Sequence, residues 1–115
     1  MALFLVSIHR PDGYDPSCET LEMGKQIDQL NQEMVDQGVR KFAGGLKHPS
    51  EARAIRLNKA GKTEVTEGIY LRCGEHVGGF WLIEVPDISV AVAWGRKAAV
   101  ACKAQVEVRP FHLRT

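Results

Sequence analysis

Ala2–His9 is a run of Leu, Phe, Val and Ile that is apolar at both parities until Ser7 and His9. That is the pattern of a strand covered on both faces. Phe80–Val85 repeats it. Between these runs Met23, Ile27, Leu30 and Met34 recur at steps of four, three and four, which marks one face of a helix. Asp15 and Pro16 supply an N-cap and a first helical residue, and Gly38 a left-handed stop. Gly24 predicts an irregular first turn.

Val39–Leu46 reads as a second strand closing in Gly44-Gly45, and Lys47–Ser50 as a turn. Ala52–Asn58 sets Ala54, Arg56 and Asn58 against Arg53, Ile55 and Leu57, a half-exposed strand. Ala60-Gly61-Lys62 turns it into a short strand at Thr63–Thr66. Glu67–Val77 is polar, carries Gly68 and Gly74, and reads as a loop. Pro86-Asp87 ends the Phe80–Val85 strand and caps a helix over Ile88–Ala101, with Ala91, Trp94, Ala98 and Ala101 inward. Ala104–Arg109 alternates cleanly, with Val106 and Val108 against Gln105, Glu107 and Arg109, until Pro110.

The order predicts an α+β fold: a ferredoxin-like, split-βαβ antiparallel sheet with two helices on one face, in a single domain over residues 1–115. Two helices cover one face only, yet two strands are greasy on both. A second copy packed sheet against sheet, a dimeric α+β barrel, is the expected cover.

Composition narrows the function classes. The 115 residues carry 15 Lys and Arg against 14 Asp and Glu, so there is no electrostatic case for nucleic acid or an acidic membrane. Ala2–Ile8 is the longest candidate leader. It is far shorter than the ~20 residues of a membrane span and lacks basic residues before it. Three cysteines, Cys18, Cys73 and Cys102, with no CxxC pair suit a reducing cytoplasm.

Gly78-Gly79-Phe80-Trp81-Leu82-Ile83-Glu84-Val85, an Asp87-led helix, and Val106-Glu107-Val108-Arg109-Pro110-Phe111 together resemble the YCII-related family, in the branch named for an Asp-Gly-Pro-Phe motif. Gly44-Gly45-Leu46 before a basic strand extends the resemblance, which covers residues 3–111. Glu67-Gly68-Ile69-Tyr70 falls where that motif would lie. It keeps an acid and the Gly, loses the Pro, and has Tyr for Phe. The resemblance implies a cytoplasmic homodimer joined through the open sheet face. It also implies association with a transcription regulator, because some members are encoded with or fused to alternative sigma factors. Members with an enzyme role carry a His on the first helix and an Asp in a later Asp-Pro-Tyr turn. No His stands near Gln26 and Ile27, and no Asp in Ala98–Cys102.

Strand parity nominates one constellation. If Val106 and Val108 face the helices, Glu107 and Arg109 lie on the opposite face with His9 and Glu84, over an apolar floor of Leu3, Leu5, Phe80 and Leu82. These four residues are the candidate site for a small anionic ligand; an ion-pair network at a subunit seam is the competing reading. Three functions follow: a non-enzymatic ligand-binding or regulatory module, a lyase or isomerase using His9 with Glu84 or Glu107, and a structural oligomerisation domain. The first is favoured by the missing His/Asp pair. Cys73-Gly74-Glu75-His76 has half-site metal spacing with nothing to complete it. Gly44-Gly45 and Gly78-Gly79 lack the spacing of phosphate loops. No metal or cofactor is expected.

Overall fold

A computed structural model describes residues 1–113. Along the chain run β1 (Ala2–Pro11), α1 (Leu21–Asp36), β2 (Arg40–Gly45), β3 (Arg53–Leu57), β4 (Thr63–Glu67), β5 (Glu75–Val85), α2 (Ile88–Cys102) and β6 (Gln105–Pro110). Four strands form an antiparallel sheet in the order β2-β5-β1-β6, and β3 and β4 form a separate hairpin. The fold is α+β, and this strand order is compatible with a ferredoxin-like split βαβ.

Both helices lie on one face. Phe4, Val6 and Ile8 of β1 and Trp81, Ile83 and Val85 of β5 bury themselves there against Leu30 and Met34 of α1 and Ala91, Trp94 and Ala98 of α2. Val106 and Val108 pack on the edge of the same core, so β6 presents the face that its alternation predicts. The opposite face has no helix. Leu3, Leu5, Phe80 and Leu82 are half-buried there. The Phe42 ring, 55% exposed, stands 5.8 Å from that of Phe80. The molecule is a slab of 48 × 42 × 18 Å. Among the described residues no helix is long and apolar enough to cross a membrane.

Two boundaries differ from the sequence reading. Asp15 and Pro16 do start a helix, but a single 3-10 turn at Pro16–Cys18; Glu19 leaves it in extended backbone. A second cap, Thr20, then accepts from the Met23 amide at 3.1 Å and opens α1 at Leu21. Two capping residues five positions apart each hold their own orphan amides, so the first helix is split.

The second difference is β5, which begins at Glu75 rather than Phe80. Its early half pairs with the end of β1, through Ile8↔Gly79, His9↔Val77, Arg10↔His76 and Pro11↔Glu75. Gly78 is the extra residue of a bulge in that register. A Cβ on Gly79 would sit 2.9 Å from the Gly44 carbonyl oxygen, and one on Gly78 2.9 Å from the Arg10 Cγ. The two glycines therefore let β2 and the Arg10 side chain approach closely, as bulge and strand glycines do.

Candidate functional site

The bulge decides which side chains share a face. Counting back by twos from Ile83 through Trp81 to Gly79 puts Val77 on the helix side and His76 on the open side. The extra residue Gly78 inverts that parity. Val77 pairs with His9 and is exposed; His76 pairs with Arg10. Re-aiming of this kind is a known consequence of a bulge. Arg10 continues the Phe4, Val6, Ile8 face of β1, so both it and His76 enter a cavity of about 510 Å³ between the sheet and the middle of α1.

Arg10 is buried at this site. Its Nη1 donates to the Cys102 carbonyl at 2.7 Å, at the end of α2. The guanidinium carbon lies 4.4 Å from the centre of the Tyr14 ring, a cation–π arrangement. Its nearest carboxylate, Glu19, is 3.8 Å away and partly exposed. Burial, and then the Glu19 carboxylate beside it, push the Tyr14 phenol up to about 12, so Tyr14 is a neutral ring over the cation. Burial also raises the Cys102 thiol, which makes it a packing group and not a nucleophile.

Asn31 orders the far wall. Its Oδ1 accepts from Trp81 Nε1 at 2.9 Å and from Arg40 Nη1 at 3.0 Å. Its Nδ2 donates to the Ile27 carbonyl at 3.1 Å, one helical turn back, which fixes which end of the amide faces the cavity. Arg40, Lys47 and His48 stand at the rim. Three permanent cations thus line the cavity with the carboxylate of Glu19, and the surplus is positive.

His76 is held from behind. Its Nδ1 lies 3.0 Å from Asp12 Oδ1, and the ring is 13% exposed. The other Asp12 oxygen accepts from the Gly74 amide at 3.2 Å, and the Asp12 amide donates to the Gly74 carbonyl at 2.9 Å. A carboxylate oxygen accepts here, so Nδ1 carries the hydrogen, and in the neutral imidazole Nε2 is then the acceptor. His76 is therefore engaged with Asp12, while Cys73 Sγ lies 3.7 Å from the Glu75 carbonyl.

The four residues nominated by parity all lie on the open face, but not as one cluster. Arg109 Nη2 bonds Glu107 Oε1 at 2.7 Å on the same strand. His9 Nε2 lies 3.0 Å from Ser7 Oγ, which donates to the Glu107 carbonyl at 3.4 Å. Glu84 pairs with Lys41 at 3.3 Å. It stands opposite Leu3, six residues from His9, and at about 3.3 Å per residue that is roughly 20 Å. His9, Glu107 and Arg109 are therefore neighbours, and Glu84 is at the other end of the sheet. The cavity is on the opposite side, around Arg10 and His76, neither of which strand parity selects. The double glycine at Gly78-Gly79 was the signal available, because a bulge there is what turns His76 inward. No protein-family model matches the chain, and no curated protein matches it.

Proposed function

We propose that this protein is a homodimeric small-ligand-binding module of the YCII-related type, cytoplasmic, and that its ligand is a small anion held in the Arg10 cavity. The observation that carries the reading is Arg10 itself. A buried guanidinium with one carboxylate 3.8 Å away is under-neutralised, and burying a charge without a close partner is costly. An anion in the cavity supplies that partner, through the two-point bond that a guanidinium makes with a carboxylate or phosphate. Trp81 and Tyr14 give the space an aromatic wall, the usual mixture of a small-molecule site.

The homodimer rests on the open sheet face, where Leu3, Leu5, Phe80, Leu82 and Phe42 lack a cover in the single chain. Proton transfer by His9 with Glu84 draws no support from the register that separates them. Association with a transcription regulator rests on the family resemblance alone.

A melting-shift screen of small carboxylates and phosphate esters tests the binding reading. A ligand at 100 times its Kd adds about 2.7 kcal/mol to stability. The shift should appear in the parent and shrink sharply in Arg10→Lys, whose point charge cannot make the two-point bond. Equal shifts in both would overturn the reading.

A further inference from the structure

We infer that the cavity also performs chemistry: His76 Nε2, oriented by Asp12, takes a proton from the carbon beside the carbonyl of a short 2-oxo acid whose carboxylate sits on Arg10. The inference rests on the anion reading above and adds a reaction to it.

Three observations carry it. Arg10 and His76 are direct cross-strand partners, so their Cα atoms are about 4.5–5.5 Å apart and their side chains enter the cavity side by side. The Asp12–His76 bond of 3.0 Å occupies Nδ1 and leaves Nε2, a proton acceptor in the neutral imidazole, for a ligand. Asp12 is itself fixed by both hydrogen bonds to Gly74, so the ring has one orientation. A nucleophile is not required, and the buried Cys102 thiol is not called on.

The step balances with these groups alone. The C–H bond next to the carbonyl breaks and its electron pair moves into the carbonyl, giving an enolate. The proton forms an N–H bond at His76 Nε2, and the Asp12 carboxylate stabilises the resulting imidazolium. A guanidinium N–H of Arg10 beside the carboxylate offsets the enolate charge. The proton then returns to the same carbon, which exchanges hydrogen with solvent, or to the enolate oxygen, which releases the enol. No oxidant, metal or second substrate enters. Asp12 is a positioning residue, because it acts through His76.

The test uses pyruvate and 2-oxobutyrate in D2O with the full-length protein. Loss of the proton signal next to the carbonyl is followed by NMR, and binding by saturation transfer to the same signals. The parent should bind and exchange faster than buffer. His76→Gln should still bind while its exchange falls about 100-fold, the lower range for a general base. Asp12→Asn should lower exchange and also shift the His76 ring 15N signals away from the Nδ1–H tautomer, a signature that a merely structural role would not produce. Melting curves of both variants identify any that fail to fold; the other then carries the test. Binding without exchange in the parent, or full exchange in His76→Gln, would overturn the inference and leave anion binding standing. Absence of binding by either acid would overturn this inference, while the screen of carboxylates and phosphate esters against Arg10→Lys decides the anion reading separately.

Discussion

Arg10 on β1 and His76 on β5 stand directly opposite each other, on the helix side of the sheet, only because Gly78 is an unpaired residue between Gly79 and Val77. One inserted glycine thus sets the composition of the cavity. The neighbouring pair His9 and Val77 is left on the open face by the same shift.

The two glycines should respond differently to a methyl group. At Gly79 a Cβ meets the Gly44 carbonyl oxygen at 2.9 Å, backbone that can move only by parting β2 from β5. Gly79→Ala should cost about 1–3 kcal/mol in denaturant titration, the range for overpacking. At Gly78 the Cβ meets the Arg10 Cγ, a flexible side chain. Gly78→Ala should cost less in stability and more in anion binding. Equal losses of stability would contradict the bulge geometry.

Asn31 is the hinge of the far wall, accepting from Trp81 Nε1 and Arg40 Nη1 at once. Asn31→Leu leaves the Trp81 indole N–H, on a side chain only 5% exposed, without an acceptor. The loss should be about 1–3 kcal/mol, with a shift in Trp81 emission. Asn31→Asp keeps the acceptor and should retain most of the stability. A silent Asn31→Leu would mean that the bond contributes nothing.

Much of this was legible in the sequence, and the exceptions have physical causes. Alternation placed Phe4, Val6, Ile8, Val106 and Val108 toward the helices because the period of two is unbroken there. Upstream of Gly79 the polar stretch Glu67–Val77 reads as a loop, and the start of β5 there is hidden because one inserted residue inverts the parity of the residues before it. Capping residues marked the first helix correctly as a start. They could not show that Asp15 and Thr20 each open a separate segment, since either satisfies the same donors. Individual strands revealed the open face, His9 and Arg109. The cavity needed Arg10 of β1, Tyr14 of the segment after it, Asn31 of α1 and His76 of β5 to converge, and no spacing in one segment encodes that.

Stability should fall on the acid side. Asp87 caps α2, accepting from Ser89 Oγ at 2.7 Å and the Val90 amide at 3.1 Å. The Ser89 hydroxyl first, then the Val90 amide, hold its carboxyl below the ordinary value. The folded chain therefore binds this proton less tightly than the unfolded chain. The contribution is complete at neutral pH and is lost as pH falls through the ordinary carboxylate range to the lower folded value. Ser89→Ala removes the largest cause, so urea midpoints at pH 7 and pH 3 should differ less in that variant than in the parent. A larger difference would contradict the assignment.

The open sheet face should govern assembly. Leu82→Glu and Leu5→Glu are directly opposite in register, and each puts a charge on a surface that a second copy would cover. Either should weaken association at least tenfold by light scattering on a sizing column. Asp28→Lys on the outer face of α1 should leave the mass unchanged and move stability by no more than about 0.5 kcal/mol. A parent mass equal to one 12.7 kDa chain at micromolar concentration would contradict the dimer.

Anion binding beside Arg10, on the helix side of the sheet, is tested most directly by an amide and indole shift map of the 15N-labelled protein titrated with pyruvate. The indole N–H of Trp81, on the cavity wall, and the amides of Arg10 and His76 should move together along one saturable curve. The indole N–H of Trp94, packed in the core under Lys97, and the amides of Glu107 and Arg109 should stay in place. Shifts centred on His9, Glu107 and Arg109 with Trp81 unmoved would contradict it.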